Sequence, residues 1–118
     1  MSASLSILVV EDEPLIAMML EDFLESLGHR VHATCESVSE AVRAVESGGF
    51  QLAILDVNLK GEHVWPVAAR LREKDVPFVL ATGGHVDPPP AEFNSVPVIE
   101  KPYTIDRVNP AIDAAFAL

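Results

Sequence analysis

The chain has 118 residues, of which 49% are hydrophobic and 22% charged, enough for one compact domain with its own core. Its net charge of −10 disfavours binding to nucleic acid or to an anionic membrane, since both attract clustered Lys and Arg. One cysteine, no basic leader and no bilayer-length apolar run together favour a cytoplasmic protein. We expect a single domain over residues 1–118, without an output domain, that is a monomer or weak dimer.

Five short apolar runs recur along the chain and predict β-strands. Several are almost continuous in apolar residues, which is typical of strands buried on both faces of a parallel sheet. The runs cover residues 5–10, 30–35, 51–55, 77–81 and 96–99.

Amphipathic helical patterns fill the first two intervals between these runs. The first helix has Pro14 in its opening turn and Gly28 as its stop signal. The second opens on Ser37-Val-Ser-Glu40, a capping-box pattern, and ends near Gly48. Strand and helix therefore alternate, which predicts an α/β doubly wound parallel sheet with helices on both faces.

The later helices carry prolines that restrict where they begin. A third helix is expected over residues 63–74, with Pro66 in its first turn. The last begins after Thr104, and Pro110 inside it predicts a kink or a late start. Between them, residues 83–96 are rich in proline and lack periodicity, so a fourth helix there should be short, displaced or absent.

Polar side chains follow four of the five apolar runs. Because ligands bind beyond the carboxyl ends of strands in open α/β sheets, these residues should meet at one edge. The candidates are Glu11, Asp12 and Glu13 after the first run, Asp56 and Asn58 after the third, Thr82 and Gly83 after the fourth, and Glu100, Lys101 and Pro102 after the fifth.

Clustered carboxylates repel one another unless a cation binds between them. Mg²⁺ prefers such oxygen ligands and leaves positions open for phosphoryl oxygens. Asp56 is then a candidate nucleophile that forms an acyl phosphate. Lys101 would neutralise the transferred group, Thr82 would donate a hydrogen bond to it, and Gly83 would let the backbone approach it closely.

This arrangement resembles the receiver domain of response regulators, in segments 7–13, 55–61, 80–83 and 100–103. The resemblance implies a flavodoxin-like sheet of strand order 2-1-3-4-5, with Asp56 as phosphoacceptor and a histidine kinase or phosphotransfer protein as donor. It further implies a downstream partner of unknown identity, and a site in which Pro102 is a candidate for a cis peptide bond. The implied Mg²⁺ ligands are Glu11, Asp12, Asp56 and the backbone carbonyl of Asn58, and the implied phosphate-binding and switch residues are Thr82, Gly83 and Lys101.

Residues 77–84 look like the receiver subgroup with a Phe-Ala-Thr-Gly signature, with Leu80 in place of the Phe. Two features depart from most receivers. Val98 stands where an aromatic switch residue is usual, and the proline-rich interval replaces part of a common signalling surface. Output by an order–disorder change over residues 83–95 is therefore an alternative to the usual aromatic rotation.

The leading functional hypothesis is a phosphorylation-dependent binding switch that acts through another protein. A phosphate sink that drains a shared kinase is a second possibility, and a degenerate receiver used as an interaction module is a third. An aspartyl-phosphate phosphatase of the haloacid dehalogenase type is disfavoured, because Asn58 occupies the position of its general acid. Trp65 and Tyr103 are expected to be partly exposed, and either could mark a partner surface.

Overall fold

The computed structural model describes residues 4–83 and 89–117. The strands of its main sheet are β1 (Ser6–Val10), β2 (Arg30–Cys35), β3 (Leu52–Asp56), β6 (Phe78–Thr82) and β7 (Val98–Glu100). They are parallel and lie in the order β2-β1-β3-β6-β7, which is the predicted order 2-1-3-4-5 when the strands of this sheet are numbered alone.

The two faces of the sheet pack into two separate hydrophobic cores. Side chains alternate along a strand, so in β1 Leu8 and Val10 enter one core and Ile7 and Val9 the other. All four are fully buried. Burial on both sides explains why the central strands read as continuous apolar runs rather than as alternating ones.

Helices α1 (Pro14–Ser26) and α2 (Val38–Ser47) begin and end at the expected signals. Gly28 follows α1 with φ of 89°, a conformation that side chains other than glycine rarely adopt. At the start of α2, the Ser37 hydroxyl accepts a hydrogen bond from the backbone N–H of Glu40 at 3.2 Å, as the capping box predicts.

Helix α3 (Trp65–Glu73) starts two residues later than predicted and has Pro66 in its first turn. Helix α4 (Ile105–Ala117) begins directly after Thr104, as predicted, and continues through Pro110, so of the two effects expected from this proline the late start does not occur. The backbone N–H of Val108 bonds to the carbonyl of Thr104, which closes the first turn before the proline is reached. Pro110 therefore removes one interior donor without moving the start of the helix.

A small antiparallel hairpin, β4 (Asn58–Leu59) and β5 (Glu62–His63), follows β3 and was not predicted. Its two-residue turn is Lys60-Gly61, and both residues have positive φ, 49° and 83°. That is the backbone of a tight hairpin turn, for which glycine in the second position is the usual sequence signal.

The interval between β6 and β7 contains one 3₁₀ turn, Ala91–Phe93, within its described residues, which confirms that the fourth helix is at most short there. Phe93 is buried and holds this turn against α3. Its ring stacks on Trp65 at 5.8 Å, meets Phe78 edge-on at 6.0 Å and lies 4.9 Å below the Arg72 guanidinium carbon. Residues 84–88, part of the segment expected to change order, lie outside the described residues.

Within the described residues, none of the helices combines the length and the apolar character needed to cross a membrane.

Candidate functional site

The carboxyl ends of β1, β3, β6 and β7 lie at one edge of the sheet. Asp56 is the last residue of β3 and pairs with Ala81, so Thr82 lies one step beyond it on the neighbouring strand. Thr82 in turn pairs with Glu100. Each of these strands therefore delivers its next residue to the same edge, as the sequence predicts.

Three carboxylates meet at this edge. Glu11, Asp12 and Asp56 each place one oxygen so that all three oxygens lie within 4.8 Å of one another. Glu11 is fully buried and Asp56 is 6% exposed. A backbone N–H group holds each of them in place: Glu13 donates to Glu11 Oε2 at 3.2 Å, Asn58 to Asp56 Oδ1 at 3.2 Å, and Lys60 to Asp12 Oδ2 at 2.9 Å.

Lys101 places its ammonium among these carboxylates. Its Nζ lies 2.9 Å from Asp56 Oδ2, to which it donates a hydrogen bond, and 2.6 Å from Glu11 Oε1. The peptide bond from Lys101 to Pro102 is cis, and the Lys101 backbone N–H bonds to the carbonyl of Thr82 at 2.8 Å. The ammonium thus offsets part of the negative charge that the three acids bring together.

The pKa of Glu11 is raised from its ordinary value of 4.5 to about 7. Burial of the carboxyl is the main cause, and the nearby charge of Asp56 adds to it, while contact with Lys101 acts in the opposite direction. Burial also lowers the pKa of Lys101, but its contacts with the carboxylates of Glu11 and Asp56 outweigh this and raise it overall. The lysine is therefore cationic at neutral pH.

The donor set fits a small hard cation. Three carboxylate oxygens at mutual distances under 4.8 Å suit Mg²⁺, which coordinates oxygen and keeps part of its water shell. Glu11 Oε1 also accepts no hydrogen bond of acceptable angle within residues 4–83 and 89–117, although it is buried and close to Lys101. A buried acceptor left in this state has capacity for a further ligand.

The remaining predicted site residues lie around this cluster. Asn58 is exposed and begins β4, next to Asp56 in the chain. Thr82 is partly exposed, and a Cβ placed on Gly83 would lie 3.8 Å from Lys101 Cδ, so this loop runs beside the lysine stem. Val98 is 47% exposed on the edge strand and lies apart from the buried cluster.

Tyr103 contradicts the expectation that it is partly exposed. Its side chain is 2% exposed, within the core that α1 and α4 cover, and its ring centre is 5.9 Å from Lys101 Nζ. Burial first, and then the charges of Glu11 and Asp56, raise the pKa of the Tyr103 hydroxyl. The sequence contained a signal for this location. Tyr103 lies two residues after Lys101, so the short segment that brings Lys101 to the site also brings Tyr103 near it.

The family model that describes the response regulator receiver domain matches residues 7–113. The chain belongs to this family, whose members are signalling switches of two-component systems. Receiver domains in general bind Mg²⁺ at an acidic pocket and take a kinase or phosphotransfer protein as partner.

Among solved structures, the solution structure of SdrG from Sphingomonas melonis Fr1 has a TM-score of 0.88 at 52% sequence identity, over 98% of this chain and 99% of that one. The PhyR receiver domain of Erythrobacter litoralis has a TM-score of 0.78 at 29% identity, over 98% of this chain and 92% of that one.

The uncharacterized transcriptional regulatory protein YkoG of Bacillus subtilis is 33% identical over 92% of this chain and 50% of its own length. The transcriptional regulatory protein TcrA of Mycobacterium tuberculosis is 40% identical over 64% of this chain and 30% of its own length. The chain thus spans half or less of the length of these two curated relatives.

Proposed function

We propose that this chain is a phosphorylation-dependent switch that accepts a phosphoryl group on Asp56 and acts through contact with another protein. The observation that carries the proposal is the Asp56 carboxylate, held by a backbone N–H on one oxygen and by the Lys101 ammonium on the other. The carboxylates of Glu11 and Asp12 complete a site that suits a divalent cation.

In the proposed reaction a carboxylate oxygen of Asp56 forms a bond to the phosphorus of a phosphohistidine on the donor protein. The phosphorus–nitrogen bond breaks, and its electron pair remains on the imidazole nitrogen, which takes up a proton. When bound, Mg²⁺ would supply positive charge for the phosphoryl oxygens and orient them for in-line transfer.

The residues of this chain have separate tasks in that step. Glu11 and Asp12 hold the cation beside Asp56, with the backbone carbonyl of Asn58 as a further ligand. Lys101 moves its ammonium from the two carboxylates to the new phosphoryl group, whose charge of about −1.5 to −2 attracts it more strongly. Thr82 supplies a hydroxyl and Gly83 a backbone N–H to the same group.

A surface suited to a donor protein lies next to this site. Helix α1 starts three residues after Glu11 and exposes Leu15 to 76%, Met18 to 57% and Met19 to 43%. Large apolar side chains at this exposure are typical of protein interfaces, and methionine adapts to partners of different shape. We assign this α1 patch, formed by Leu15, Met18 and Met19, to the phosphoryl donor.

Intact mass measurement tests the phosphoacceptor. The wild-type protein, incubated with acetyl phosphate and Mg²⁺, should gain the mass of one phosphoryl group, and Asp56→Asn should gain none. Omission of Mg²⁺ should reduce the gain strongly. An unmodified wild type, or equal modification of Asp56→Asn, would overturn the assignment.

A second experiment tests the output. Beryllofluoride mimics the phosphoryl group without covalent chemistry, so proteins captured by the chain with Mg²⁺ and beryllofluoride are compared with those captured without them. A switch requires a partner whose capture changes and whose response disappears in Asp56→Asn. Rapid phosphoryl transfer and turnover with no such partner would instead indicate a phosphate sink.

A further inference from the structure

Tyr103 carries a buried hydroxyl whose role the proposed reaction leaves open. Among residues 4–83 and 89–117, the hydroxyl oxygen has no hydrogen-bond partner, and the side chain is 2% exposed. Leaving a buried hydroxyl unpaired is costly, so proteins seldom keep one without a reason.

The other buried side-chain atom in those residues without a hydrogen bond of acceptable geometry is Glu11 Oε1, whose present partner is the ion pair with Lys101. One atom is a donor and the other an acceptor, so their hydrogen-bonding needs are complementary. Lys101 connects the two side chains, with its Nζ 2.6 Å from Glu11 Oε1 and 5.9 Å from the centre of the Tyr103 ring. The ammonium is therefore the group that Glu11 Oε1 contacts in this state, and its departure would leave that oxygen free to accept another donor.

We propose that Tyr103 is a positioning residue of the phosphorylated state, whose hydroxyl donates a hydrogen bond to Glu11, directly or through one water, once Lys101 has moved to the phosphoryl group. This inference rests on the proposed phosphorylation of Asp56. The new bond replaces the contact that Glu11 loses when the ammonium leaves, and it keeps the carboxylate oriented toward the cation.

The proposal also gives this chain a buried group that responds to phosphorylation without an aromatic side chain at position 98. Val98 is a small residue on the exposed edge strand and offers no ring to rotate inward. Tyr103, by contrast, is buried in the core that α1 and α4 share. A change in its hydrogen bonding would act on the start of α4, two residues further along the chain.

The chain has one tyrosine, so a spectroscopic test is unambiguous. Protein labelled with ¹³C at the tyrosine ζ carbon is observed by NMR with Mg²⁺, before and after addition of beryllofluoride. The ζ carbon resonance should move when beryllofluoride binds, in the direction of a hydrogen-bonded phenol, and should stay unmoved in Asp56→Asn.

Tyr103→Phe removes the hydroxyl alone and keeps the ring. The melting temperature of the variant without ligand should equal or exceed that of the wild type, because a buried group without a partner has been deleted. Its affinity for beryllofluoride with Mg²⁺ should fall about fivefold, the equivalent of one net hydrogen bond.

The outcomes separate this proposal from the one it rests on. If the wild type does not bind beryllofluoride at all, the phosphorylation of Asp56 fails and Tyr103 loses its proposed role with it. If the wild type binds but the tyrosine resonance is unmoved, or if Tyr103→Phe binds with unchanged affinity, the role of Tyr103 alone is overturned. The role of Tyr103 alone is also overturned if the resonance indicates a hydrogen-bonded phenol before beryllofluoride is added.

Discussion

The Nζ of Lys101 donates a hydrogen bond to Asp56 Oδ2 at 2.9 Å, although the two residues are 45 positions apart in the chain. The bond joins the end of β3 to the loop after β7, across the end of β6, which lies between those strands in the sheet. The lysine side chain is 13% exposed, so the interaction is largely shielded from water. Four predictions test the site and its surroundings.

Lys101→Met should destabilise the Mg²⁺-free protein by about 3 kcal/mol at neutral or higher pH, since it leaves buried carboxylates without their cation. The loss should be smaller at about pH 5, where Glu11 with its raised pKa is protonated. Urea unfolding at both pH values measures the difference. The matched control is Lys74→Met, which removes an exposed ion pair with Glu46 and should change the free energy of unfolding by less than about 1 kcal/mol. Equal effects of the two substitutions would contradict the buried pairing.

The raised pKa of Glu11 predicts a specific dependence of stability on pH. The folded protein holds the proton more tightly than the unfolded chain, so this contribution is complete below the ordinary value of 4.5 and is lost as pH rises through about 7. As pH rises between those values, the free energy of unfolding should fall less for Glu11→Gln than for the Mg²⁺-free wild type, and the two falls should differ by up to about 3 kcal/mol. Chemical denaturation across the range gives the two curves.

A control substitution is needed to assign this pH dependence to Glu11. Glu73→Gln changes an exposed glutamate at the end of α3 and should follow the wild-type curve. Added Mg²⁺ should stabilise the wild type more at about pH 8 than at about pH 5, because protons compete with the cation for Glu11. Parallel curves for wild type and Glu11→Gln would refute the assignment of this pH dependence to Glu11.

Truncation of the α1 patch should separate two kinds of phosphoryl donor. Replacing Leu15 and Met18 with alanine should lower kcat/KM for transfer from a cognate donor protein by about tenfold or more, because a partner loses apolar contacts. Phosphorylation by acetyl phosphate should be unchanged, since a small donor needs the site alone. As a control, alanine at two other exposed apolar residues, Val98 and Phe116, should leave phosphorylation by the donor protein and by acetyl phosphate unaffected. A parallel loss with both donors would indicate damage to the site itself.

Phe93→Ala should destabilise the protein by about 3–5 kcal/mol, because the ring is buried between Trp65, Phe78 and Arg72. The chain has one tryptophan, so fluorescence reports this location directly. Emission from Trp65 should shift to longer wavelength as the stacked ring is lost and water reaches the indole. Phe116→Ala, at a side chain 49% exposed, should cost less than about 1 kcal/mol and leave the emission unchanged. A mild effect of Phe93→Ala would mean that the 3₁₀ turn is held by other contacts.

Local sequence signals were sufficient for most of the helix and strand boundaries. Gly28 and Ser37 act through their own backbone or through a neighbour three residues away, so the sequence contains all the information needed. The hairpin of β4 and β5 was missed because its strands have two residues each, too few for any periodicity to show. The late start considered for the last helix does not occur, because a proline can be accommodated within a helix that tertiary packing stabilises.

The strand order of the sheet was implied by the resemblance to receiver domains. The sequence by itself determined the edge at which the polar residues gather and the membership of Asp56, Asp12 and Lys101 in one cluster. These follow from the alternation of apolar runs and from the rule that parallel strands end on the same side. Only the tertiary structure decided which charges touch and which groups stay unpaired. The ammonium of Lys101 shared by Glu11 and Asp56, and the buried phenol of Tyr103, depend on side-chain positions set by packing between distant segments, which no local pattern encodes.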